Sequence, residues 1–150
     1  MQQRLFIITF ICLGFFSVQA QQGTSWFASN GVAIRGYDPV AYFKDAKPVK
    51  GDSTYQFQWQ GINWWFSQQA YLDSFKLDPA HYAPQYGGYC AYGASESHLS
   101  PTAPEAWTIV DDKLYLNYSP KVKSFWTKDI PGRITAANAY WLTLQTPKKQ

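Results

Sequence analysis

Sulfur and imidazole are scarce in this chain. Two cysteines, two histidines and a single methionine stand among 150 residues. Charge is thin as well, with 15% of residues charged against 46% hydrophobic. Only one stretch is continuously apolar, from Leu5 to Phe16. Each shortage excludes something. Cys12 lies inside that stretch, so the remainder holds Cys90 alone and a disulfide framework is excluded there. The net charge of +3 comes from scattered residues, which gives neither a stripe for nucleic acid nor a cationic face for a membrane surface. The densest basic group, Lys44, Lys47 and Lys50, reads as a solvated loop. No segment after Phe16 approaches the roughly 20 apolar residues that a membrane-crossing helix requires.

The beginning of the chain reads as an export signal. Arg4 precedes the apolar run, and small residues follow it, closing on Val18-Gln19-Ala20. This is the order of a secretory signal peptide, with cleavage expected after Ala20. The reading divides the chain into a leader over 1–20, a flexible tail over 21–31, one domain over 32–145 and a disordered end over 146–150. It places the mature protein in the periplasm or outside the cell, without stable membrane insertion after cleavage. About 130 residues remain, enough for a single core without a disulfide or metal to hold it.

What the chain has in quantity is aromatic residues: 7 Trp, 11 Tyr and 10 Phe. Tyr55, Phe57 and Trp59 alternate with Gln56, Gln58 and Gln60, the two-residue period of a half-buried strand. Gln60-Gly61 turns the chain, and Asn63 to Phe66 returns as the second strand of a hairpin. "AWTIVDDKLYLNY" is a second hairpin turning at Asp111 and Asp112, with Trp107, Ile109, Leu114 and Leu116 inward. Asp38-Pro39, Asp78-Pro79 and Ser119-Pro120 each combine a capping side chain with proline at the first helical position. Ser67 is expected to cap a helix through Phe75, and Pro131-Gly132 to separate the helix begun at Ser119 from a last one over Ile134 to Leu144. Hairpins interspersed with short helices make the expected fold α+β.

These residues also form larger strings. "GYDPVAYF", then "YQFQWQGINWWFSQQAYLDSFKLDPAHYAPQYGGYCAYG", then "PEAWTIVDDKLYLNY" resemble the YHS-domain proteins, and more closely their exported bacterial branch. The resemblance runs from about Val32 to Trp141. It implies a small YHS-like domain and a non-enzymatic binding role. Many YHS domains are heavy-metal-binding modules that use a cysteine after Asp-Pro-Val and a Cys-x-x-x-Cys pair in the following helix. Here those three positions are Ala41, Ser67 and Tyr71, so the resemblance carries the fold without its thiolates. Thiolates are what select soft metals such as Cu(I) or Zn.

A rebuilt metal site would have to draw on Cys90, His81 and His98, a ligand set suited to a copper or zinc ion. The competing reading of Cys90, set in "QYGGYCAYG", is a buried small hydrophobe. A nucleophilic role would need a base and an orienting partner, and no third residue is indicated. The histidines each read as solvated residues when taken alone. The second candidate feature is the aromatic strip Tyr55, Phe57, Trp59, Trp64, Trp65 and Phe66. It serves either as core or as a surface for a flat apolar ligand, a sugar or a partner protein. Trp64 and Trp65 must face opposite sides of their strand, and the outer one is expected to lie under a helix.

Overall fold

A computed structural model describes residues 26–146. The expected leader over 1–20 lies outside the described residues. The fold is α+β, with antiparallel hairpins and short helices in one small domain. Strands β1 (Ala28–Ser29) and β2 (Val32–Ala33) pair with each other, and β2 also runs parallel to β4 (Ile62–Phe66). The long strand β3 (Asp52–Trp59) closes the sheet in the order β1-β2-β4-β3. Its alternation holds as expected: the three aromatics are half-buried and the three glutamines exposed. The second sheet is the hairpin of β5 (Ala103–Val110) and β6 (Lys113–Asn117). Asp111 and Asp112 turn it, both at positive φ (48° and 58°), which suits a two-residue hairpin turn.

Helix α1 (Ala41–Lys44) and α2 (Gln69–Leu77) pack with the first sheet, followed by α3 (Pro79–Tyr82) and α4 (Ala91–Ser95). After β6 come α5 (Pro120–Trp126) and α6 (Ile130–Gln145). Strand β6 divides two cores by simple alternation. Leu114 and Leu116 join Trp64, Phe66, Leu72 and Phe75 on one side. Tyr115 faces Tyr86, Trp126 and Ala137 on the other. In the first core each fully buried Leu or Phe contributes about 1.5–3 kcal/mol, and in the second the large buried surface is that of Trp126.

Four local expectations are corrected. The tail does not extend to residue 31: Trp26 packs on Trp59 and Trp64 at 5.3 and 5.4 Å, and Ala28–Ser29 is a strand. Burying an indole outweighs the ordering of a few residues. Ser67 does not cap α2, whose N-cap Gln68 makes no side-chain bond, because its hydroxyl is spent on Asp38. Pro131 does not separate two helices but opens α6, with Asp129 accepting from the Gly132 amide at 3.0 Å. Proline at the first turn loses no hydrogen bond, so it starts helices as readily as it stops them. The outer tryptophan, Trp65, is covered by loop rather than helix. A Cβ built on Gly36 would stand 2.9 Å from Trp65 Cε3, and one on Gly51 would stand 2.7 Å from the Trp65 carbonyl carbon. Only glycine lets those two backbones lie against the strand.

Candidate functional site

Ala41, Ser67 and Tyr71, which the resemblance would align with thiolates, carry other chemistry. Ala41 is fully buried. Ser67 donates both its amide and its hydroxyl to Asp38 Oδ2, each at 2.7 Å. Asp38 Oδ1 accepts from the Val40 amide at 2.8 Å and the Ala41 amide at 3.4 Å. One buried carboxylate therefore joins the start of α1 to the end of β4. Burial pushes its carboxyl above the ordinary value, and these donors pull it partly back. Tyr71 bonds Asp45 at the surface, 2.6 Å away. Nothing in this group offers a sulfur ligand to a soft metal.

Cys90 sits at the N-cap of α4 and is 1% exposed. Its sulfur accepts from the amides of Gly93 and Tyr118, each at 3.3 Å, and faces Asn117 Oδ1 at 3.7 Å. Asn117, itself fully buried, also accepts from the Tyr92 amide at 3.1 Å. The thiol thus works as a polar pin between α4 and β6. It also lines a largely apolar cavity of about 300 Å³ with His98, Ser100, Tyr118 and Val122.

The three candidate metal ligands are not gathered in one place. Cys90 and His98 share that cavity. His81 stands elsewhere, stacked on Phe43 at 4.8 Å and paired with Asp112 at 3.5 Å. Among the described residues no three His, Cys, Asp or Glu side chains come together in a way that could hold a metal ion.

A different concavity has no signature in any single stretch of sequence. An open cleft of about 360 Å³ is walled by Trp26, Trp59, Trp141 and Tyr86 and carries the carboxamides of Gln60, Gln85 and Gln145. Among the described residues no charged side chain lines it. Four separate segments meet there: the entry to β1, the turn after β3, the loop around Tyr86 and the end of α6. Trp141 packs on Tyr86 with ring centres 6.0 Å apart, and Tyr86 is anchored by a 2.9 Å bond to Asn138. Trp59 belongs to the aromatic strip, whereas Trp26 falls in the expected tail and Trp141 within the expected last helix. Only the tertiary fold makes them neighbours.

No family model, curated protein or solved structure matches the chain. Among the described residues no helix is long and apolar enough to cross a membrane.

Proposed function

We propose that this is an exported, non-enzymatic binding domain of YHS type whose ligand occupies the tryptophan cleft. The observation that carries the reading is the convergence of three indoles and three carboxamides on one open cleft, with no charged side chain among the described residues that line it. Indole faces offer flat apolar contact while carboxamides both donate and accept hydrogen bonds. That combination suits a neutral ligand with one apolar face and many hydroxyls, and a saccharide is the class that fits. The YDPVAYF and YAPQYGGYCA strings support the family, and the apolar run behind Arg4 supports export.

The test is calorimetric titration of the chain without residues 1–20 against neutral disaccharides and their uronic-acid counterparts, beside Trp141→Ala and Gln60→Ala. Binding of a neutral sugar that both substitutions weaken by about tenfold or more supports the reading, since a stacked ring is worth about 1–3 kcal/mol. Equal indifference to all sugars, or binding that ignores both substitutions, overturns it.

A second reading has one observation in its favour, the cavity shared by Cys90 and His98. A thiolate and an imidazole together suit a soft ion, and Cu(I) accepts so small a ligand set. Titration with Cu(I) should then give one-to-one binding lost in Cys90→Ala and His98→Ala and kept in His81→Ala. Binding that survives the first two changes removes the metal from this cavity.

A further inference from the structure

A third concavity, of about 540 Å³, lies at the surface between the turn preceding α1 and the start of β5. Arg35, Tyr37, Lys50, Glu105 and Tyr118 line it. Its cations are held in place by backbone, not by acids. Arg35 Nε donates to the Thr102 carbonyl at 2.9 Å, and Lys50 Nζ donates to the Arg35 carbonyl at 2.5 Å. Lys50 Nζ also lies 4.8 Å from the Tyr37 ring centre. Among the described residues the ion pairs are Arg133 with Glu96 and His81 with Asp112, so neither Arg35 nor Lys50 has a carboxylate partner.

Holding Arg35 there is costly. Ile34, Arg35 and Gly36 run consecutively at φ 48°, 53° and 79°. A β-branched residue in the left-handed region is strained, by about 1–3 kcal/mol. Hydrogen bonds from the Tyr37 amide to Ile34 and from the Gly51 amide to Gly36 keep the turn wound. The result is a guanidinium fixed through Nε and lying 5.7 Å from the Phe27 ring centre, whose two terminal nitrogens make no hydrogen bond among the described residues. Beside it stands Tyr118, a 56% exposed aromatic ring.

We infer that this cavity binds a small organic monocarboxylate, its oxygens on the Arg35 fork and Lys50 and its apolar body against Tyr118. A planar guanidinium with parallel donors matches a carboxylate in a bidentate way. Glu105 in the same cavity sets the charge of the occupant: a phosphate dianion meets more repulsion there than a carboxylate. The site is separate from the tryptophan cleft, sharing no residue with it.

The experiment is an NMR titration of the chain without residues 1–20 with benzoate, benzyl alcohol and phenyl phosphate. Wild type, Arg35→Gln, Lys50→Gln, Tyr118→Ala and Glu105→Gln are compared. Benzoate should bind better than benzyl alcohol and phenyl phosphate. Arg35→Gln should weaken it about tenfold to a hundredfold, the range of one charge-assisted contact. Lys50→Gln and Tyr118→Ala should each weaken it less, and Glu105→Gln should narrow the gap to phenyl phosphate. Benzyl alcohol binding as well as benzoate, or phenyl phosphate outcompeting it in wild type, overturns the proposal. So does benzoate affinity unchanged in Lys50→Gln and Tyr118→Ala, which decides the matter even where Arg35→Gln misfolds.

Discussion

Removing the Asp38 carboxylate should come close to unfolding this protein. The side chain is fully buried and accepts three short hydrogen bonds, from Val40 N, Ser67 N and Ser67 Oγ, with a longer one from Ala41 N. Hydrogen bonds to a charged acceptor are worth about 1.5–3 kcal/mol each, and the three short ones sum to about 4–9. Relief from burying a charge returns part of that, because ion burial itself costs several kcal/mol. The net expectation for Asp38→Ala is a loss of about 3–5 kcal/mol, against a total stability of about 5–15 for a domain of this kind. Ser67→Ala removes one of the bonds and leaves the amide in place, so it should cost about 1–3 kcal/mol. Asp38→Asn keeps the shape but turns one acceptor into a donor facing other donors, and should fall between. Urea unfolding followed by tryptophan fluorescence measures all three, with unchanged m-values showing that the native state alone is altered. Asp38→Ala within about 1 kcal/mol of wild type would refute the assignment of this carboxylate as the tie between α1 and β4. Ser67→Ala costing as much as Asp38→Ala would do the same.

Alkaline pH should unfold the protein from inside. Tyr42 is buried and donates to the Pro104 carbonyl at 2.9 Å, and burial pushes the phenols of Tyr42 and Tyr86 far above their ordinary value. A raised folded pKa means that stability is intact below the unfolded value of about 10 and is lost as pH rises beyond it. Absorbance at 295 nm should therefore show part of the tyrosine titration coinciding with loss of circular dichroism. Smooth independent titration of every tyrosine would contradict it. The Cys90 thiol should react with a disulfide reagent only as fast as the protein opens, since the sulfur is buried and already engaged by two amides. Reaction at the rate of a free thiol in native buffer would place it at the surface. Gly36→Ala should cost about 1–3 kcal/mol, from positive φ and from contact with the Trp65 ring, and a melting temperature equal to wild type would show that the loop yields freely.

Local periodicity and capping chemistry were readable wherever they act between neighbours in sequence. The alternation of Tyr55, Phe57 and Trp59 gave β3, and Asp78 before Pro79 does accept from the His81 amide, at 3.2 Å. Ser119 likewise accepts from the Val122 amide at 3.2 Å. The reading failed where a residue had a stronger partner far away. Ser67 has the spacing of a cap, but its hydroxyl donates to a buried carboxylate 29 residues upstream instead of accepting from the amides of α2. Trp26 looked like part of a tail because nothing near it in sequence could bury it. Its partners, Trp59 and Trp64, lie beyond two short strands and a helix.

The same distinction governs the candidate sites. Cys90 attracted notice because it is rare, and rarity says nothing about what lies within reach. The fold supplies it with two amides and one buried asparagine, which is sufficient reason for a cysteine at the start of α4. The tryptophan cleft has the opposite character: of its indoles only Trp59 stands out in sequence, and its chemistry exists only in the assembly. A cleft that used indoles for stability alone would bury them, yet Trp26, Trp59 and Trp141 all remain part-exposed beside glutamines. Covering those faces with further apolar residues would have stabilised the fold by about 25 cal/mol for each Å² removed from water. Leaving them open beside hydrogen-bonding amides is the arrangement expected when a ligand, rather than the protein, completes the contact.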